Sequence, residues 1–281
     1  AAPEWNNKLP LRGPRLRLCS EPLISDQILF LSMLPDLLTR QAELSVECDP
    51  RLTSLLSRSF PAVRVMGANR EDDAESSAAC DYQLALGSLV RYLRPDIASF
   101  PKRVAYLVPD AQEQMRWRAW LNGFGRGLKV GIVCRGDEPA SELKPPYARL
   151  KQWLPLLRHT RAHFVCLQGD TTAAELDELG ARSGVHVLHP PGLDRRDDID
   201  GLCALTSTLD LVIAVPGTAS AIAGSVGVPT WQLNCGIDWH GLNQPYSPWQ
   251  PRVRRFYKPW DRSWDEELEL VVMELERLTA A

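Results

Sequence analysis

The residues able to do chemistry in this chain gather where apolar runs end. The run at residues 15–19 is followed by Ser20-Glu21-Pro22-Leu23-Ile24-Ser25-Asp26. A carboxylate at a strand-to-helix turn that faces a cleft can take the proton of an attacking hydroxyl. Asp26 can equally well cap the helix that follows. The run at 209–215 leads into Pro216-Gly217-Thr218-Ala219-Ser220 and a helix of small residues. First-turn N–H groups and the helix dipole make such a turn an anion site. Gly217, Thr218, Ala219 and Ser220 would supply its amide and hydroxyl donors. The alternative is a tight packing turn. Arg135 ends the run at 129–134 and can pair with a phosphate through a charge-assisted bond. Gln168 ends the next run and can contact a nucleoside, with Asp170 behind it as contact or loop cap. Residues 238–258 are rich in Trp, Tyr, Pro and Arg. Trp239, His240 and Asn243 can line a sugar or acceptor surface. Lys258, closing a basic strip with Arg252, Arg254 and Arg255, can reach a phosphate.

Other chemistries lack their residues. The histidines at 159, 163, 186 and 189 have no metal spacing with carboxylates, and no CxxC pair occurs among seven cysteines. No Gly-x-Ser-x-Gly elbow, G-x-G-x-x-G or P-loop is present. The net charge of −3 supplies no global field for nucleic acid or anionic lipid. No apolar run approaches the ~18–20 residues of a membrane span. The first ten residues lack the basic start and apolar stretch of a secretory signal. Scattered cysteines in apolar runs fit a reducing, cytoplasmic compartment. The absence of a starting Met suggests an excised piece of a longer protein or a processed chain.

Strand-like and helix-like runs alternate throughout. Strands are expected at 15–19, 44–48, 63–66, 82–86, 129–134, 162–167, 185–188, 209–215 and 230–233. Helices are expected at 23–40, 111–121, 147–157, 172–182, 197–207, 218–226 and 264–278. This alternation implies parallel sheets with right-handed crossovers. Asn122-Gly123-Phe124-Gly125-Arg126-Gly127 reads as a helix stop and hinge. The expected division is residues 1–125 and 126–263, with the last helix, 264–281, returning to the first half. In such sheets ligands bind beyond the carboxyl ends of the strands. Acidic loops at 71–77 and 138–142 read as solvated connections.

Order and spacing of the motifs add a resemblance. Ser20, Glu21, Ile24, Asp26, Ile28 and Phe30 match the turn S-E-Q-G-I-G-D-E-I-x-F. Further matches are Asp49-Pro50-Arg51-Leu52, Leu86-Gly87-Ser88-Leu89, Arg135-Gly136, Leu167-Gln168, Gly224, Gly227, Pro229, Trp231, Asp238-Trp239 and Ser247-Pro248-Trp249-Gln250-Pro251. Over residues 15–275 the chain resembles the C-terminal catalytic domain of bacterial glycosyltransferases that often carry tetratricopeptide repeats upstream. These are relatives of family 9 heptosyltransferases and family 41 O-linked transferases. The resemblance implies a GT-B fold of two doubly wound, Rossmann-like α/β domains facing a cleft. It also implies a nucleotide-sugar donor, a protein or glycan acceptor and no obligatory metal or cofactor. Asp26 would be the base, and the turn at 217–220 would hold the diphosphate.

The departures from the pattern are specific. Leu23 and Ser25 replace two glycines of the first turn. Pro216 and Ala221 stand where relatives carry an acidic residue and a His. Glu138 and Glu142 stand where basic residues are usual. The expected function is therefore transfer of a sugar, with protein O-glycosylation as its specific form. The alternative is a degenerate GT-B domain kept as a binding or scaffold module.

Overall fold

The structure, a computed structural model, describes residues 2–6, 13–40, 43–68, 80–136, 147–159, 161–169, 171–236 and 238–280. The acidic loops at 71–77 and 138–142, and Asp170, lie outside the described residues.

The first layer contains β1 (Arg15–Cys19), α1 (Ile24–Leu31), α2 (Leu34–Leu38), β2 (Glu43–Cys48), α3 (Thr53–Ser59), β3 (Arg64–Gly67), β4 (Tyr82–Ala85) and α4 (Val90–Leu93). Its strands form a parallel sheet in the order β3-β2-β1-β4. The chain then makes α5 (Ala111–Asn122), β5 (Leu128–Val133), α6 (Leu154–Leu157), β6 (Ala162–Cys166), α7 (Thr171–Ser183), β7 (Val187–Leu188), α8 (Ile199–Thr206), β8 (Leu211–Ala214), α9 (Thr218–Ser225), β9 (Thr230–Cys235), β10 (Val253–Lys258) and α10 (Asp265–Ala280). Strands β5–β10 form a second parallel sheet, ordered β10-β9-β8-β5-β6-β7. β8 is buried at all four positions, and β5 at its last five. Strands covered on both faces must be apolar without alternation, which is why both runs are legible in the sequence.

Each sheet reverses its winding once, between β1 and β4 and between β5 and β8. A crevice opens beyond the strand ends at such a switch point. Asp26 follows β1, Arg135 follows β5, and Gly217 follows β8. The fold thus carries all three to a switch point.

Three expectations are corrected. The helix expected at 23–40 breaks at Ser32–Met33, because Pro35 cannot donate to the preceding turn and its ring crowds the carbonyl four residues back. β10 lies within the segment read as site lining; its buried Arg255 and Lys258 hid the apolar pattern. Helix α5, assigned to the first half, packs on α8 of the second layer, with Trp117 and Leu121 buried. Helix α10, read as returning to the first half, packs on α6 and β10. Its apolar face of Leu268, Val271 and Leu275 is buried there, and Arg254 on β10 pairs with Glu274 at 2.9 Å.

The layers meet in a continuous core. α1 packs directly on α9. The buried Tyr106 hydroxyl donates to the Ile28 carbonyl at 2.8 Å, and Gln250 Nε2 donates to Tyr106 Oη and to the Ala221 carbonyl at 3.0 and 2.8 Å. The backbone N–H groups of Tyr106 and Leu107 both donate to Ser225. Ion pairs Arg51–Asp197 and Arg58–Asp200 close the edge. Among the described residues no helix is long and apolar enough to cross a membrane.

Candidate functional site

The turn after β1 is held from three sides. Glu21 Oε1 accepts the Gly87 N–H at 2.7 Å, tying it to the end of β4. The buried Gln27 side chain donates to the Glu21 carbonyl at 2.6 Å and accepts the Asp49 N–H at 2.9 Å. Leu23 is the N-cap of α1 in an ordinary extended conformation (φ −97°, ψ 132°) and makes no side-chain cap bond. The positive-φ non-glycine residues described are Leu242 and Asn243, so Leu23 and Ser25 carry no left-handed strain. Asp26 therefore does not cap the helix. Its carboxylate crosses to the second layer and meets His240 Nε2 at 3.3 Å.

The second switch point is more occupied than the sequence suggested. Gln168 is buried, and its Oε1 accepts the N–H groups of Cys134 and Arg135 at 3.0 and 3.1 Å. Its Nε2 donates to the Arg135 carbonyl at 2.7 Å. It splints the end of β5, with its oxygen and one of its two amide N–H donors spent on the backbone there. Arg135 forms a fork with Glu175 of α7, at 3.2 and 2.6 Å. Nothing in the sequence signalled that partner 40 residues away. Ser220 is also buried; its hydroxyl accepts from Gly217 N–H at 3.1 Å, donates to the Gly217 carbonyl at 2.9 Å, and lies 3.2 Å from Gln232 Nε2. It shapes the turn rather than facing a ligand. Gly217, Thr218 and Ala219 form the start of α9, at the positive end of its helix dipole, and the Gly217 N–H is taken by Ser220. Gly136 admits the Tyr147 phenol beside Pro216, and a Cβ there would overlap the hydroxyl. Tyr147 was missed because its run gives no motif.

Lys258 is 5% exposed. Its ammonium donates to the carbonyls of Pro259 and Arg262 at 2.7 Å each and approaches that of Trp260 at 3.5 Å. The phosphate contact read for it is corrected, since its three N–H donors face backbone carbonyls.

Trp239 and His240 lie on the 3₁₀ turn at Trp239–Gly241, capped by Asp238 accepting the Gly241 N–H at 2.9 Å. Trp239 is 56% exposed and stacks on Phe30 of α1 at 6.0 Å. Asn243 is exposed at φ 56°. The structure thus brings Asp26, Trp239 and His240 together, while Lys258 and Gln168 serve the scaffold. Burial pushes the Cys48 thiol up to about 11 and those of Cys134 and Cys203 well up too, so these are not poised nucleophiles. Among the described residues no group of three or more His, Cys, Asp or Glu could hold a metal ion.

Two doubly wound parallel sheets meeting along α1 and α9 make the GT-B fold of glycosyltransferases. The glycosyl transferase family 9 structure from Veillonella parvula is similar with a TM-score of 0.65 and 11% identity, over 97% of this chain and 92% of that one. The E. coli ADP-heptose LPS heptosyltransferase II is similar with a TM-score of 0.65 and 12% identity, over 95% of this chain and 98% of that one. In sequence, the chain is 32% identical to Protein FlbA of Caulobacter vibrioides over 99% of its own length and 48% of FlbA. It thus spans about half the length of that curated relative. No family model matches the chain.

Proposed function

We propose that the chain transfers a sugar from a nucleotide-sugar donor to a hydroxyl of a protein or glycan acceptor. The observation that carries this reading is the Asp26–His240 contact, which sets a carboxylate of the first switch point against a loop of the other layer. In the reaction, the acceptor oxygen bonds the anomeric carbon and its proton passes to Asp26. The bond from that carbon to the nucleotide's phosphate oxygen breaks, and the electron pair leaves with the phosphate. The start of α9, through its dipole and the Ala219 amide, holds the leaving phosphate, a stabilisation that grows as charge develops. Arg135 joins them by exchanging Glu175 for phosphate. Trp239 and Asn243 flank the sugar or acceptor. Support for an activated sugar comes from the fold shared with an ADP-heptose heptosyltransferase. A protein acceptor, presented through tetratricopeptide repeats outside this chain in the cytoplasm, is the specific form suggested by the motif resemblance.

The second reading, a non-catalytic binding module, is favoured by one observation: Arg135, Lys258 and Ser220 are committed internally. Calorimetric titration with ADP-, UDP-, GDP-, dTDP- and CMP-sugars separates the two. Micromolar to low-millimolar binding with slow release of nucleoside phosphate is expected. Absence of binding by every donor at millimolar concentration would remove the transferase reading.

A further inference from the structure

We propose that His240 is a positioning residue for Asp26, so that the proton acceptor is oriented only while the loop after β9 is docked on α1. This rests on the transferase reading above and deepens it. A carboxylate only accepts, which puts the ring proton of the 3.3 Å contact on Nε2. The bond occupies Oδ1 and leaves Oδ2 for the acceptor's proton. The imidazole is itself held from several sides. Its ring stacks on Trp239 at 3.6 Å, and Trp239 stacks on Phe30. Its carbonyl accepts Trp249 Nε1–H at 3.1 Å, and the Trp249 ring packs edge-on against Phe30 at 5.4 Å. Its Nδ1 lies 4.0 Å from Asp238 Oδ1. Asp238 is gripped by the buried Arg255 of β10, which also donates to Asn234 Oδ1 of β9 at 3.1 Å. A connected series, Asn234, Arg255 and Asp238, which caps the turn carrying His240 by accepting the Gly241 N–H at 2.9 Å, thus runs from the rigid strands of the second layer toward the base on the first. The turn that carries His240 follows the same sheet as the start of α9. Orientation of the base and presentation of the donor turn are therefore coupled through one body.

The test uses the whole chain, with His240→Ala, His240→Gln and Asp26→Asn, alone and combined. The probes are ADP-, UDP-, GDP-, dTDP- and CMP-sugars, followed by released nucleoside phosphate and by calorimetric Kd. For His240→Ala, kcat is expected to fall about 100-fold, the scale of a misplaced catalytic group, with donor Kd unchanged. His240→Gln places an amide N–H near Nε2 and restores most of the loss. In the Asp26→Asn background His240→Ala adds nothing. An unchanged kcat in His240→Ala, a loss appearing in Kd instead, or multiplicative losses in the double variant overturns the proposal. The contact is also read without turnover: Asp26→Asn must move the His240 Nε2 resonance in nitrogen-labelled protein, and an unmoved resonance overturns it. If that resonance moves while wild type releases no nucleoside phosphate from any probe, the contact stands, the transferase reading fails, and the positioning role fails with it.

Discussion

Lys258 sits at the end of β10 with its donors facing three carbonyls of the loop that follows. Removing that charge deletes these bonds, and hydrogen bonds from charged groups each contribute about 1.5–3 kcal/mol. Lys258→Met is expected to lower stability by that order in urea unfolding, while donor Kd stays at the wild-type value; a weakened Kd without lost stability would restore Lys258 to the ligand. Asp26 shows the opposite pattern: a partly exposed side chain whose partner lies in another layer. Asp26→Asn removes the proposed proton acceptor and keeps the shape. Loss of kcat by about 100-fold or more, with unchanged unfolding, is expected for a general base; unchanged kcat would assign the proton elsewhere. Asp36 extends the argument to pH. Burial alone would raise its carboxyl, but hydrogen bonds from Arg103 and Arg94 outweigh burial and hold it below the ordinary value. A depressed carboxylate contributes stability above its unfolded value of about 3.9, and loses it as pH falls through the folded one. The stability gap between wild type and Asp36→Asn is therefore present at pH 6 and closes below about pH 4. A gap that persists in acid would mean the pair contributes nothing.

At the scale of elements, what the sequence revealed follows from how each element is buried. The central strands β5 and β8 are covered on both faces and read as unbroken apolar runs. Their ends marked the turns at Arg135 and Gly217 as positions beyond the carboxyl ends of strands. β10 stayed hidden because Arg255 and Lys258 are buried with polar partners, so no periodicity revealed it. Arg135 and Gln168 were found as residues at the right edge. Their roles were not legible, because Glu175 and the Cys134 and Arg135 amides reach them only through the folded chain. The Asp26–His240 contact spans 214 residues and no local pattern could announce it. Helix α9 shows the same dependence on context. Gly224→Ala should favour an isolated helix by about 1 kcal/mol. In this fold a Cβ at 224 would overlap the Gln250 amide and lie 2.8 Å from Val253 Cγ2. Overpacking of this kind costs about 1–3 kcal/mol. The expected net result is a lower melting temperature by circular dichroism; a higher one would show that the α9–β10 packing has room to spare.

At the scale of the whole molecule, the question is what fixes one sheet against the other, since Asp26 and His240 come from opposite layers. Two kinds of contact cross the junction. One is the set of edge ion pairs, Arg58–Asp200 and the more exposed Arg51–Asp197, whose carboxylate side chain is 68% accessible. Such a pair contributes about 0–1 kcal/mol and is screened by salt. The other is the buried meeting of α1, α9 and residues 249–250. There the Tyr106 hydroxyl is fully enclosed between the Ile28 carbonyl and the Gln250 amide, and burial holds its pKa well above the ordinary tyrosine value. Tyr106→Phe leaves a buried acceptor and a buried donor unmatched, at about 1–3 kcal/mol. Asp197→Ala removes only a screened attraction. If the apolar junction sets the angle between layers, Tyr106→Phe lowers the unfolding temperature more than Asp197→Ala does. It also lowers the kcat of the proposed transfer, because the same junction seats Trp249 and hence the carbonyl of His240. The ordering holds at 0.5 M salt, where the ion pair is silent. A larger effect from Asp197→Ala, lost in salt, would mean that surface charge and not the core aligns the two halves of the site.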